Sequence, residues 1–337
     1  MDKFRLIVLG DVWDVYQVAH RDWIEDPQIT YLSTFRPAGL LGQLNRLHFN
    51  PRLNRILPLP GKSCWNGYIF RHITDEHLCF LVTEHWLRME SAIHLLPFLR
   101  RRYPHSRIVC FTQDMVDTII DHYTQRPIDL ENMRRYADLL ISYDTTDAQQ
   151  HNMLYHPTVF SPVNTPAGEA QPKYDLYFLG RDKGRLVHLV QLCHEAQRRG
   201  LRCCFLMLEV PRAEQIPCEG ITYLDGPLPY TENLRKCAQS RCIVEMLQKD
   251  ASSPTFRTWE SIMLGKRLIT TNRSIRKSEV YDERYISVFH DIADFDWQAV
   301  QAGSTFPDGE NPYQELIRPA SLIRFIEDHL QIQIAHS

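Results

Sequence analysis

The sequence predicts an α/β protein of two Rossmann-like, doubly wound domains facing a central cleft. Three observations lead there. Short apolar runs alternate with amphipathic stretches along most of the 337 residues, the pattern of parallel strands joined by crossover helices. The alternation lapses at 157–173, where Pro157, Pro162, Pro166, Gly168 and Pro172 gather, and then resumes. A chain of this length also exceeds one ordinary core. The domains are placed at 1–160 and 170–318, with 319–337 as a terminal helix free to pack back on the first.

In the first half, strands are expected at 4–9, 29–33, 78–82, 107–111 and 139–143. One helix is expected over 85–102, where Trp86, Leu87, Ile93, Leu96 and Leu99 keep helical spacing. Arg100, Arg101 and Arg102 suit its C-terminus; contact with anionic lipid is the lesser alternative. Region 34–75 shows no clean period. In the second half, strands are expected at 174–180, 202–208, 221–224, 242–246 and 267–271, with helices to Arg199 and near 230–239. Pro319 opens a terminal helix whose Leu322, Ile323, Ile326 and Leu330 share a face.

Hydrophobic residues at 44% and charged residues at 23% describe a soluble globular protein. A net charge of -3 gives no support to nucleic-acid binding. The apolar run in Met1–Gly10 is too short for a signal peptide, and no run approaches the ~18 residues of a membrane span. The nine cysteines are scattered without Cys-x-x-Cys spacing, which points to a reducing cytoplasm. The fifteen histidines form no zinc-type cluster. Neither a phosphate-loop lysine motif nor a Gly-x-Ser-x-Gly elbow is present, and Gly10-Asp11-Val12 lacks the later glycines of a dinucleotide fingerprint. Asp294-Phe295-Asp296 reads as a solvated loop rather than a metal site.

Two motifs carry chemistry. In Ser252–Gly265, Ser253 is a good N-cap, Pro254 fits the first helical position and Gly265 ends the helix. Free amides of Thr255 and Phe256 would face an anion. Glu260 lies almost two turns further in, either for ribose hydroxyls or for an i, i+3 pair with Arg257. The second motif is Gly180-Arg181-Asp182-Lys183-Gly184-Arg185 at a strand's carboxyl end. Gly180 allows a close turn, and Arg181 and Lys183 are phosphate-binding types; a solvated basic turn is the plain alternative. Adjacent strands would bring both motifs to one crevice.

These motifs resemble those of two-domain, GT-B type glycosyltransferases. Gly180-Arg181 with Lys183-Gly184 is similar to the family's donor-diphosphate grip, though with a shorter spacer. Glu260 followed by Gly265 is similar to its ribose-binding pattern. Phe256–Glu260 with Lys266–Asn272, and Ile141–Ala148 leading to Tyr155–Ser161, resemble bacterial lipopolysaccharide and capsule biosynthesis members. The resemblance implies a cytoplasmic enzyme, peripheral to the membrane at most. It would move a sugar from a nucleotide-sugar donor to a glycan or lipid-linked acceptor, with no cofactor and no metal. Gly180, Arg181, Lys183, Ser253, Thr255, Arg257 and Glu260 would bind the donor.

The glutamate that retaining members carry eight residues before the ribose one is Ser252 here, so the resemblance does not supply the stereochemical outcome. Glu245, at its strand's end, is a substitute carboxylate or a solvent-facing residue. For an acceptor base, Asp11 and Asp114 follow strands at the expected edge, with N-capping as the plain alternative. Asp14, Glu84 and His85 occupy equivalent loops. A nucleotide-sugar epimerase or hydrolase of the same fold, and a non-catalytic nucleotide-binding partner in a glycan-assembly complex, are the competing readings. Nothing in the sequence sets the oligomeric state.

Overall fold

The computed structural model describes residues 3–33, 39–57, 59–74, 77–163, 172–247, 254–302 and 311–336. Its strands are β1 (Lys3–Leu9), β2 (Thr30–Leu32), β3 (Leu78–Thr83), β4 (Arg107–Thr112), β5 (Leu139–Ser142), β6 (Leu154–Tyr155), β7 (Tyr174–Arg181), β8 (Cys203–Leu208), β9 (Ile221–Leu224), β10 (Ser240–Glu245), β11 (Arg267–Thr270), β12 (Ile286–Val288) and β13 (Gln333–Ala335). The helices that matter below are α1 (Gly39–His48), α2 (Leu95–Arg102), α3 (Leu186–Arg198), α4 (Tyr230–Ala238), α5 (Phe256–Met263) and α6 (Pro319–Leu330). They form two units, Met1–Val159 with Arg318–Ser337, and Phe160–Ile317.

The first unit holds a parallel sheet in the order β13-β1-β3-β4-β5-β6, with β2 beside the second half of β1. Both faces are covered, so its central strands are near-continuous apolar runs rather than alternating ones. Ile7, Leu9, Phe80 and Val82 face one core with Trp86, Leu96 and Leu99. Leu6, Val8, Cys79 and Leu81 face the other, with Trp23, Leu322, Ile323 and Ile326. Helix α6 therefore lies on the first unit's sheet. Gln331 then turns through φ 52, and β13 pairs with β1, Lys3 opposite Gln333 and Arg5 opposite Ala335.

The helix expected over 85–102 is three pieces: Glu84–Leu87, Glu90–Ile93 and α2. Pro97 lacks an N–H, and its ring would crowd the carbonyl of Ile93 in a continuous helix. The chain restarts through His94 at φ 47. Glu90, buried at the break, accepts the freed amides of Leu95 (2.9 Å) and Leu96 (3.3 Å). Arg100 is held by the Tyr136 and Ser106 carbonyls and by Asp138 at 2.8 Å.

The second unit is also fully parallel, in the order β12-β11-β10-β7-β8-β9. Its first strand, β7, sits mid-sheet, so strand order reverses between β7 and β10. That reversal opens a crevice at the strands' carboxyl ends. Helix α5 follows β10. Its N-cap is Thr255, not Ser253, and its first residue is Phe256, not Pro254. Ser253, with Ser252, lies outside the described residues. The shift has a cause in Glu245, which is 1% exposed at the end of β10. Glu245 accepts from the Thr255 hydroxyl (2.6 Å) and amide (3.2 Å) and from the Thr258 (3.1 Å) and Thr270 (2.5 Å) hydroxyls. The Thr255 amide therefore faces this carboxylate rather than an outside anion, and Glu245 does not face solvent. Burial raises its pKa, and the threonine hydrogen bonds oppose the rise. Gly265 ends the helix at φ 59, in the left-handed region that glycine adopts without strain.

Two stability outcomes follow. Ile334→Ala, at a position 3% exposed, is expected to cost about 2–4 kcal/mol in urea unfolding; an unchanged midpoint would mean β13 does not hold the edge of β1. Glu245→Ala leaves the buried Thr258 and Thr270 hydroxyls without their acceptor. It is expected to cost about 3 kcal/mol or more by the same measurement.

Candidate functional site

The crevice of the second unit is built from three segments. The first is the turn Asp182-Lys183-Gly184 between β7 and α3. Lys183 adopts φ 45 and Gly184 φ 82; a side-chain-bearing residue in that region stores roughly 1–3 kcal/mol of strain. The turn is held by Asp182, whose carboxylate accepts the Leu186 amide at 2.7 Å. It delivers Arg185 across the ends of β7 and β10. The Arg185 guanidinium donates to the Met246 carbonyl (2.5 Å), the Arg181 carbonyl (2.5 Å) and the Asp182 carbonyl (3.1 Å), and lies over the Phe178 ring. Gly180 makes room for it: a Cβ there would stand 3.0 Å from the guanidinium.

The other two segments are α4 and the first turns of α5. Glu260 has no exposed surface. Its Oε1 accepts from the Tyr230 hydroxyl (2.8 Å) and the Asn233 amide (2.9 Å), and its Oε2 from Arg257 and the Cys237 thiol (3.7 Å). Asn233 uses its carbonyl oxygen for the Tyr177 hydroxyl (2.9 Å) and Arg257 (3.2 Å). One buried network thus ties β7, α4 and α5 together. Burial opposes the charge on Arg257, but Glu260 foremost among its neighbours offsets that, and its pKa is raised. The pKa of Arg185 is lowered, by burial first; Asp182 opposes this, and the positive charge of Arg257 adds to it. Two guanidinium groups therefore sense each other at the end of β10, and both are partly sheltered from water.

The residues expected to bind a donor divide accordingly. Gly180 lies under the Arg185 guanidinium, and Arg257 projects from α5 within electrostatic reach of Arg185. Thr255 caps α5, with its side chain accepting the Arg257 amide (3.1 Å) and donating to Glu245. Arg181 is exposed and pairs with Glu209 at 2.9 Å, on the β8 side of the turn. Lys183 is exposed at the turn's tip. Glu260 forms the i, i+3 pair with Arg257, and a ribose would have to displace a present partner to reach it. Arg185, Tyr230 and Asn233 were not singled out from sequence. The signal for Arg185 was available in its distance of five residues from Gly180, the span a tight turn needs to bring a side chain back over its own strand.

The carboxyl edge of the first sheet is acidic. Asp11 is 4% exposed and accepts the Val12 (2.6 Å) and Trp13 (3.1 Å) amides of its own loop; the first helical N-cap is Trp13, not Asp11. Asp114 is half-exposed, accepts the Met115 amide at 2.9 Å and stands 3.9 Å from Arg88; the N-cap that follows is Met115. Asp14 is exposed in the first helix. Glu84, directly after β3, is only 6% exposed. Its Oε1 pairs with Arg88 (2.9 Å to Nε), while Oε2 has no hydrogen-bond partner among the described residues. Burial pushes the Glu84 carboxyl up to about 7; Arg88 opposes this, and Asp114 and Asp11 add to it. Burial and then the charges of Glu84, Asp11 and Asp114 also hold the Tyr16 phenol well above its ordinary range.

No family model matches the sequence, and no curated protein matches it significantly. Solved structures do resemble the fold. The N-terminal domain of Candida albicans trehalose-6-phosphate phosphatase is 9% identical, with a TM-score of 0.54 over 98% of this chain and 97% of that one. A putative UDP-N-acetylglucosamine 2-epimerase from Listeria monocytogenes is 11% identical, with a TM-score of 0.53 over 98% and 97%. An alpha,alpha-trehalose-phosphate synthase (UDP-forming) from Burkholderia vietnamiensis is 13% identical, with a TM-score of 0.50 over 98% and 98%. With two parallel sheets and near-full coverage of both chains, the fold of this protein is the two-domain α/β GT-B fold.

Proposed function

We propose that the protein is a glycosyltransferase that takes its sugar from a nucleotide-sugar donor. The observation that carries this reading is the convergence of Arg185 and Arg257 at the strand-order reversal of a GT-B sheet. Two like charges that act on each other, one held by backbone carbonyls and the other by a buried carboxylate, are an arrangement that a diphosphate relieves. Guanidinium forks match phosphate oxygens in geometry as well as charge. Lys183 adds a cation at the tip of the turn. The reading assigns neutralisation of the departing diphosphate to these side chains rather than to a metal ion, and such stabilisation is usually the largest part of the rate enhancement. Glu260, expected from the resemblance to take the ribose, acts here by orienting Arg257.

For the acceptor proton we assign Glu84. The acceptor hydroxyl oxygen bonds to the anomeric carbon as that carbon's bond to the diphosphate oxygen breaks. The diphosphate leaves with the electron pair, and the proton passes to Oε2 of Glu84. A base works best with a pKa near the working pH, and among the described residues Glu84 is a strand-end carboxylate of this edge that is buried and has one oxygen short of a partner. Asp11 and Asp114 contribute through the field they impose on it. The acceptor as a glycan or lipid-linked saccharide of surface polysaccharide assembly rests on the motif resemblance alone.

Binding of UDP, GDP and ADP measured by calorimetry is expected to weaken about 10- to 100-fold in Arg185→Ala and in Arg257→Ala, at roughly 1.5–3 kcal/mol for each charged hydrogen-bond set lost. The corresponding nucleosides should bind both variants as they bind the parent. Undiminished diphosphate binding in both would sink the reading, and donor turnover without any acceptor would favour an epimerase or hydrolase. The rate of transfer should rise with pH along a limb near 7, because only ionised Glu84 accepts a proton. Glu84→Gln is expected to remove that limb and lower kcat about 10²- to 10⁴-fold with nucleotide binding intact; an unchanged pH profile would assign the base elsewhere.

A further inference from the structure

Helix α1 is built inside out. It exposes Leu40, Leu41, Leu44 and Leu47, by 73, 47, 49 and 55%, and the positions it buries are Gly42 and Asn45. Positions 40, 44 and 47 share one helical face. The next helix, Pro51–Ile56, continues the surface, with Ile56 and Leu57 exposed by 86 and 59%. A surface helix ordinarily turns its apolar stripe to the core. Asn50 caps that next helix and Asn54 ties it to the His48 carbonyl at 2.9 Å, so the two helices are joined at a fixed corner. A cluster of exposed aliphatics of this kind marks contact with an apolar partner.

The charge around the corner selects the partner. From Pro27 to Thr74 the sequence contains no aspartate or glutamate, while it carries Arg36, Arg46, Arg52, Arg55, Lys62 and Arg71, in a chain whose net charge is -3. Arg46 and Arg52 are exposed on the same two helices as the aliphatic side chains. A second copy of the chain fits this face poorly. Two-fold symmetry matches a patch with itself, which would set these cations against each other with no carboxylate from the same stretch to separate them. Aliphatic side chains flanked by cations fit an anionic lipid surface, where the apolar groups enter the acyl boundary and the cations meet headgroup phosphates. The run Arg100–Arg102 is not this surface, since Arg100 is committed to Asp138 and two carbonyls.

We propose that α1 and the helix after it dock the protein on an anionic lipid bilayer, through Leu40, Leu44, Leu47 and Ile56 with Arg46 and Arg52 at the headgroups. The inference is independent of the nucleotide crevice, which lies in the other unit. The test is vesicle flotation of the full chain with phosphatidylcholine alone and with phosphatidylcholine mixed with phosphatidylglycerol. The parent should float with the mixed vesicles, far less with the neutral ones, and less as salt is raised. Leu40→Ser/Leu44→Ser/Leu47→Ser should lose binding at least tenfold. Arg46→Gln/Arg52→Gln should weaken it about fivefold per charge. Both variants change exposed positions, so their melting temperatures should match the parent's. Three results would overturn the proposal: a parent that stays in solution with both vesicle types, a serine variant that floats like the parent, or a parent dimer that the serine variant converts to monomer.

Discussion

The second unit depends on two carboxylates buried away from the surface. Glu245 and Glu260 are 1% and 0% exposed, and an ionised group so placed is tolerated only when donors surround it. Each is met by donors from several elements. Glu245 gathers Thr255, Thr258 and Thr270, which come from both ends of the α5–β11 unit. Glu260 gathers Tyr230 and Asn233 from α4 and Arg257 from its own helix. Removing one donor would leave a buried charge short, so these bonds fix α5 both along its axis and about it. The position of Arg257, and through it the electrostatics of the crevice, is set by that requirement.

The crevice of the second unit is cationic and the carboxyl edge of the first unit's sheet is acidic, for the same kind of reason. Arg185 is anchored by neutral carbonyls, which hold a guanidinium without cancelling its charge. Arg257 is balanced by Glu260, yet its charge still lowers the pKa of Arg185. Donors fixed by the fold need no rearrangement when an anion arrives, which is the condition under which they are worth most. At the edge of the first sheet the balance is reversed. There, Arg88 answers Glu84 through one oxygen only, and burial, with Asp114 and Asp11 adding to it, raises the proton affinity of the carboxyl.

Much of this was legible in the sequence, and the failures have physical causes. Strands buried on both faces read as unbroken apolar runs, which is why 78–82, 107–111, 174–180 and 202–208 stand out without any alternation. The helix over 85–102 misread because periodicity counts side chains and not amides: Pro97 keeps the spacing while breaking the ladder, and Glu90 repairs it from a distance no period reports. Strand β13 was missed because three residues carry too little pattern, and its pairing with β1 joins the two ends of the chain. Ser253 looked the better cap because local propensity favours it. Thr255 holds the position instead, since Glu245, ten residues earlier, reaches its hydroxyl and amide. Arg185 and Glu84 were equally hard to rank, because their distinction lies in burial and in which oxygen lacks a partner.

Helix α1 is the case where the usual rule fails in an informative way. Inside a fold, apolar periodicity signals the face that packs, and 34–75 shows no clean period because its helices obey two environments at once. Gly42 and Asn45 meet the protein, while Leu40, Leu44 and Leu47 turn away from it. A stretch that satisfies both must look irregular to any reading that assumes one core. The absence of acidic residues over the same stretch gives the second environment a sign as well as a polarity. Illegible periodicity here reflects a surface whose partner is not part of the chain, so this region's irregularity and its exposed leucines have one explanation.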